Sequence, residues 1–142
     1  MSLIDDRKQE LLDEYGVFPD PQSLFEYLIE KNKGVAHLDA AHKNERNLVK
    51  GCVSSLWLVP SFEGGKCYFQ SDADSLITRA VASVVCHLYS ELTPQEVLSI
   101  DPAILSEVNI STHLSPNRRN GLSQLCLRIE NFAKSKSNNT EQ

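Results

Sequence analysis

The sequence predicts one domain in which helices pack on a small antiparallel β-sheet, and three observations lead to this fold. Its 142 residues suit a single domain with a core of its own. Two runs rich in β-branched and aromatic residues flank Gly64 and Gly65, a pattern typical of an antiparallel hairpin. Before and after this hairpin, apolar residues recur at helical spacing. The composition, 41% hydrophobic and 23% charged, is that of a globular protein.

Two helices are predicted before the hairpin. Residues 3–15 carry a few apolar side chains among charges and stop at Gly16, which predicts a short, partly exposed helix. Asp20 and Pro21 have the residue types of an N-cap and a first helical position, and helical spacing continues from there to Gly34. The polar stretch that follows is predicted to be a loop or a short helix.

The hairpin is predicted to pair a strand at residues 53–59 with a strand at residues 66–70. Residues 61–65, which include both glycines, form the predicted turn. A further short strand is predicted at residues 47–50, so that the sheet has about three strands. Cys67 falls within the returning strand.

Further helices are predicted after the hairpin. Asp72 and Asp74 precede the most apolar helical stripe of the chain, so this acidic pair is predicted to cap a helix that packs across the sheet. A capping box opens at Thr93, and a short helix is predicted after Asp101. Ser115 and the proline after it open the last helix.

The last helix marks the predicted end of the domain. Its apolar face includes Cys126, which is therefore predicted to lie in the core. From residue 134 onward Ser, Lys, Asn and Thr dominate. The sequence thus predicts a single domain over residues 1–134 and a disordered C-terminal tail over residues 135–142.

Charge and hydropathy exclude several functions. The formal net charge of −5 argues against a nucleic-acid-binding protein, because such proteins carry a basic face. No apolar run reaches the roughly 18 residues of a membrane span. The N-terminus shows no basic region followed by an apolar stretch, which predicts a cytoplasmic protein without a signal peptide.

The candidate reactive side chains are those of the four cysteines, Cys52, Cys67, Cys86 and Cys126. No two of them form a C-x-x-C pair, so neither a zinc knuckle nor a thioredoxin-type motif is indicated, and free thiols are expected. Cys52 stands out because it follows Gly51 at the entrance of a predicted strand. A glycine there lets another molecule approach closely, and the strand supplies a rigid support.

Several interpretations of Cys52 remain open from the residues alone. It can be a small apolar residue with no chemical role. It can be the nucleophile of a cysteine-protease-type site with His113 or His37 as the base, or a metal ligand together with Asp74 and His113. It can also be a sulfur-carrying thiolate. That role needs only a cysteine on a loop that can reach a partner protein and nearby cations, such as Lys50, that lower the pKa of the thiol.

Four segments resemble motifs of the SufE sulfur-acceptor family. Residues 49–58, VKGCVSSLWL, resemble the family signature V-x-G-C-x-S-x-V-W. Residues 72–80, DADSLITRA, are similar to D-S-D-A-x-I-V-K-G, and residues 113–122, HLSPNRRNGL, to H-L-[ST]-P-S-R-x-x-G-L. Between them, residues 93–97 match T-P-x-[DE]-[IV]. The four segments follow one another in the family order, within a resemblance that covers roughly residues 24–132.

Two features depart from the family pattern. Pro21 and Gln22 stand where the family often carries a tryptophan-glutamate pair, and Ala80 replaces a glycine of the central helix. These changes bear on the N-terminal contacts and on helix packing, and leave the cysteine segment unchanged.

The resemblance implies an α+β fold shared with scaffold proteins of the IscU type. It implies that Cys52 accepts sulfane sulfur from a SufS-type cysteine desulfurase, which carries the pyridoxal phosphate. The protein would stimulate that enzyme and pass the sulfur to a SufBCD-type iron-sulfur assembly scaffold, acting as a transfer partner rather than a stand-alone enzyme. Gly51, Asp74, His113 and Arg118 are implied as supporting or partner-binding residues.

The resemblance also implies a cytoplasmic monomer or weak dimer with no cofactor or metal of its own, and no nucleic-acid or membrane partner. The rival hypothesis is an IscU-like scaffold that holds a metal or a nascent cluster through Cys52 and Asp74. A thiol hydrolase that turns over esters or amides without a partner is a third possibility.

Overall fold

A two-stranded antiparallel hairpin lies at the centre of the fold, with helices packed against both of its strands. The structure is a computed structural model and describes residues 3–51 and 55–140. The described helices and strands are, in chain order, α1 Leu3–Tyr15, α2 Pro21–Asn32, a 3₁₀ turn Ala40–His42, β1 Leu56–Glu63, β2 Lys66–Ala73, α3 Leu76–Tyr89, α4 Pro94–Ser99, α5 Ile104–Glu107 and α6 Pro116–Thr140.

The hairpin confirms the predicted pairing, and its strands run further than predicted, β1 to Glu63 and β2 to Ala73. At the start predicted for the first strand, residues 53 and 54 lie outside the described residues, and Ser55 precedes β1. Its register runs from Leu56 opposite Ala73 to Glu63 opposite Lys66. Residues 61–63, predicted as part of the turn, belong to β1, because Gly64 and Gly65 alone reverse the chain with φ values of 59° and 81°. Two successive positive φ angles match the twist of the flanking strands, and glycine adopts them without steric cost.

The predicted third strand at residues 47–50 is wrong. Leu48 makes only an isolated bridge to Trp57, with hydrogen bonds from Val49 N to Leu56 O at 2.7 Å and from Leu58 N to Asn47 O at 2.8 Å. The pairing ends because the chain turns at Lys50 and Gly51. These two bonds close the base of a loop that spans residues 50–55.

The start of α3 also differs from the prediction. Its N-cap is Ser75, whose side chain accepts a hydrogen bond from Thr78 N, so the acidic pair Asp72 and Asp74 does not cap this helix. Asp72 still belongs to β2, where its side chain points into the protein and is fully buried. The predicted packing of α3 across the sheet is confirmed, since it lies on β2.

The C-terminal elements follow the helix-start signals. The capping box at Thr93 is present, and α6 begins at Pro116. The structure continues α6 through residues 135–140, a stretch for which the sequence predicts disorder. Lys136 lies over the rings of Phe62 and Phe132, so the helix keeps contact with the hairpin beyond residue 134. In the described part of the chain, no helix is both long and apolar enough to cross a membrane.

Candidate functional site

The loop of residues 50–55 is the candidate site, because it carries the cysteine that the sequence singles out. Cys52 itself lies outside the described residues, as do Val53 and Ser54. The structure describes both ends of the loop, at Gly51 and at Ser55, and the residues that hold them.

Gly51 forms the first anchor. Its backbone has a φ of 93°, a conformation that side-chain-bearing residues rarely adopt. Its carbonyl oxygen accepts a hydrogen bond from Asn120 Nδ2 on α6 at 2.6 Å. A Cβ atom at this position would lie 2.9 Å from Asn120 Nδ2 and 3.1 Å from Gln124 Cγ. The sequence predicts that another molecule approaches this glycine closely, and that stays a prediction; the close neighbour in the structure is α6 of the same chain.

Arg128 extends this anchor along the same helix. Its guanidinium donates hydrogen bonds to the carbonyl oxygens of Leu48, through Nη1, and of Arg46, through Nη2 at 2.9 Å. Positions 120, 124 and 128 are spaced four apart and so share one face of α6. The chain leading to Cys52 thus runs along this face.

Ser55 forms the second anchor, through the predicted site residue Asp74. The backbone N–H of Asp74 donates to the carbonyl oxygen of Ser55 at 3.0 Å. The Asp74 side chain is exposed, and its carboxylate makes no hydrogen bond or ion pair with another described residue. Asp74 therefore contacts the far end of the loop through its backbone, which leaves its charge available at the surface.

Arg118 lies beside a small cavity between β1, α3 and α6. Its side chain lines this cavity together with Leu56, Thr78 and Leu122. Thr78 Oγ1 is buried and has no hydrogen-bond partner among the described residues. His113 is exposed just before α6 and makes no hydrogen bond to another described residue.

The three described cysteines are all free and buried: Cys67, Cys86 and Cys126. Burial raises the pKa of Cys67, and it raises the pKa of Cys86 to about 12, against the smaller effect of a hydrogen bond with Ser71. Burial likewise raises the pKa of Cys126 to about 12. A thiol reacts as its thiolate, so these three side chains are poor nucleophiles at neutral pH. The expected burial of Cys126 in the core is confirmed.

A second polar cluster, which the sequence reasoning missed, is centred on Asp72. This fully buried carboxylate accepts hydrogen bonds from Arg79 Nε at 3.1 Å and from the backbone N–H of Leu38 at 3.0 Å. Lys43 Nζ lies 3.2 Å and His37 Nδ1 3.0 Å from the same carboxylate. The cluster ties the loop after α2 to the sheet and to α3.

The charge state of Asp72 follows from these partners. Burial alone would raise its pKa, but hydrogen bonds from the backbone of Leu38 and Ala73 and from His37 and Lys43 outweigh burial and lower the pKa to about 2. The residue is therefore a structural carboxylate that stays ionised. A sequence signal for it exists, because Arg79 is a lone cation within the apolar α3 and requires a buried acidic partner.

No three side chains of His, Cys, Asp or Glu come together as a possible metal site within residues 3–51 and 55–140. The rival scaffold hypothesis requires Cys52, which lies outside those ranges, so it stays a prediction. The same holds for the protease-type pair, although His37 is already engaged by Asp72.

Comparison with known proteins places this site in a family. The family model of SufE, described as an Fe-S metabolism associated domain, matches residues 9–133. The chain belongs to the SufE family. It is 29% identical over 130 residues to an uncharacterized SufE-like protein of Rhizobium etli, covering 88% of each chain. It is also 30% identical over 115 residues to SufE-like protein 1, chloroplastic/mitochondrial, of Arabidopsis thaliana, covering 80% of this chain and 31% of that protein.

The fold is confirmed by a solved structure. The solution structure of a hypothetical protein from Thermus thermophilus superposes with a TM-score of 0.74 and covers 93% of this chain and 96% of that chain. At 18% sequence identity this likeness concerns the fold alone. The predicted α+β class is thus correct, with a sheet of two strands among the described residues.

Three of the four SufE-like segments meet around the candidate loop. The cysteine segment contacts residues 113–122 through the bond between Gly51 and Asn120, and it contacts residues 72–80 through the bond between Ser55 and Asp74. Asn120 stands at an unspecified position of the motif and was not among the predicted site residues. Only the fold reveals it, because its partner lies 69 positions away in the sequence.

Proposed function

We propose that this SufE-family protein accepts sulfur onto Cys52 from the persulfide of a SufS-type cysteine desulfurase in the cytoplasm. It stimulates the desulfurase by clearing the persulfide that the enzyme's own cysteine carries between turnovers. It then delivers the sulfur to a SufBCD-type iron-sulfur assembly scaffold.

The transfer is a thiol–persulfide exchange. The Cys52 thiolate attacks the outer sulfur of the donor persulfide, so that a new S–S bond forms at Cys52 as the S–S bond of the donor breaks. The electron pair of the broken bond stays with the donor cysteine, which leaves as a thiolate. The outer sulfur keeps its proton, and no external oxidant or reductant is required.

The observation that carries the proposal is the burial of the three other thiols. Cys67, Cys86 and Cys126 are buried, and burial holds each pKa above its ordinary value. A sulfur acceptor must reach into a partner's active site as a thiolate, which these three cannot do without unfolding. Membership in a family associated with Fe-S metabolism supplies the class of chemistry, and Cys52 is the thiol left to perform it.

The setting of the loop supports the same role. Its two ends are fixed on α6 and on the segment before α3, which provides a rigid support for a residue that must be presented to another protein. Asp74, whose backbone bonds to Ser55, and Arg118, which lines a cavity with Leu56, carry exposed charges of opposite sign. Such charges can orient a partner without entering the chemistry.

Desulfurase kinetics test the proposal. The desulfurase is assayed with free cysteine and increasing amounts of wild type, Cys52→Ser or Cys126→Ala protein. We expect wild type and Cys126→Ala to raise the turnover rate equally and Cys52→Ser to leave it at the basal level. Full stimulation by Cys52→Ser would refute the proposal, as would loss of stimulation in a folded Cys126→Ala protein.

A further inference from the structure

We propose that Asn120 is a positioning residue for Cys52, which fixes the peptide group next to the nucleophile during sulfur transfer. This inference rests on the proposed function, because it assumes that Cys52 is the acceptor. It assigns a task to a residue on α6 that none of the family motifs specifies.

The carbonyl group that Asn120 holds, at 2.6 Å from its Nδ2 atom, is one half of the peptide bond that joins Gly51 to Cys52. A peptide unit is planar, so fixing its carbonyl fixes the plane in which the chain enters Cys52. Asn120 thereby acts on the nucleophile through one covalent link.

Glycine makes this restraint necessary. Gly51 has no side chain, and its φ of 93° lies in a region that only glycine enters readily. Without an external restraint, a glycine beside the nucleophile explores both signs of φ. The Asn120 amide and the Cγ atom of Gln124 fill the space where a Cβ would stand, so the glycine is held closely against α6.

The bond is not needed to hold the segment on the protein. The base of the loop is closed by the backbone bonds of Val49 and Leu58, and Arg128 binds the carbonyl oxygens of Leu48 and Arg46. Asn120 and Gly51 are both exposed, so their bond adds little to stability. Its specific effect is on the orientation of a single peptide group.

Two variants of Asn120 and one control test the inference. Asn120→Asp keeps the shape of the side chain but removes the donor, and Asn120→Ala removes the donor without adding charge. Asn117→Asp introduces the same charge in the same part of α6, at an exposed asparagine whose side chain bonds to no other described residue. The acceptor is titrated into the desulfurase, and persulfide formation on Cys52 is followed to saturation.

We expect both Asn120 variants to lower the saturated transfer rate about tenfold, which corresponds to about 1.4 kcal/mol in the barrier. The acceptor concentration at half-saturation should stay within about twofold of wild type, since Asn120 acts on the cysteine rather than on the partner. Asn117→Asp should behave as wild type, and all three variants should keep the wild-type circular dichroism spectrum.

Three results would overturn the inference. A wild-type saturated rate in both Asn120 variants would show that the bond does not matter for transfer. A change confined to the acceptor concentration at half-saturation would show that Asn120 acts in partner binding. An equal loss of the saturated transfer rate in Asn117→Asp would show that the added charge causes the effect. Failure of the proposed function itself is recognised separately, because Cys52→Ser would then accept sulfur as well as wild type does.

Discussion

Replacement of Asp72 by Asn gives the sharpest test of the structural reasoning. The substitution keeps the shape of the side chain but removes a fully buried negative charge from between Arg79, Lys43 and His37. Arg79 keeps its contacts with the carbonyl oxygens of Asn32 and Val35, so its buried charge loses only its ionic partner.

The size of the effect follows from the pKa of Asp72. Its partners lower the pKa from 3.8 to about 2 against the opposing effect of burial. That difference corresponds to about 2 kcal/mol of folding free energy when the carboxylate is ionised. The buried Arg79 charge left behind adds to this cost, and we expect a loss of about 2–3 kcal/mol at pH 7.

The pH dependence has a definite sign. The folded pKa is lower than the unfolded pKa, so the stabilisation is complete above about pH 4 and disappears as the pH falls toward 2. Urea denaturation of wild type and Asp72→Asn is measured at several pH values across this range. Asp74→Asn, which removes an exposed carboxylate two positions away, should change stability by less than about 0.5 kcal/mol. If Asp72→Asn lowers the free energy of unfolding by less than about 1 kcal/mol at pH 7, or by an amount that stays constant down to pH 2, the role given to Asp72 is refuted.

Two other predictions concern the loop and the buried thiols. Gly51→Ala should lower the free energy of unfolding by about 1–2 kcal/mol and slow sulfur acceptance, because alanine is strained at this φ and its Cβ meets Asn120. Gly34→Ala, where the added Cβ meets nothing within 4 Å, should be nearly neutral, and equal effects at both sites in urea denaturation would contradict the account. In the native protein at pH 7, iodoacetamide should leave Cys67, Cys86 and Cys126 unmodified, whereas all three should react in denaturant. Rapid native labelling of any of them, detected by peptide mass mapping, would show that burial does not protect it.

The hairpin and the helix starts could be predicted because their signals are local. Two glycines determine the turn, and the capping box at Thr93 combines a hydroxyl with a carboxylate three positions later. The errors lie where tertiary contacts compete with local pattern. Asp72 has the residue type of a helix cap but lies in a strand, where the buried Arg79 gives its carboxylate a better partner than a helix terminus.

The candidate site was only partly predictable for a similar reason. Gly51 and Cys52 carry a recognisable pattern, and Asp74 and Arg118 come from the resemblance to the SufE family. Asn120 and Arg128 donate to backbone carbonyl groups far away in the sequence. Every residue has such a carbonyl group, so the residue type of the acceptor does not reveal the contact. Contacts of this kind become visible only once the fold places α6 beside the loop.

The central claim is that Cys52 carries the transferred sulfur. After incubation with a cysteine desulfurase and free cysteine, peptide mass mapping should find the added mass of one sulfur atom on the peptide that contains Cys52. The peptides of Cys67, Cys86 and Cys126 should remain unmodified. Sulfur on one of those three peptides, or sulfur acceptance by Cys52→Ser at the wild-type level, would contradict the claim.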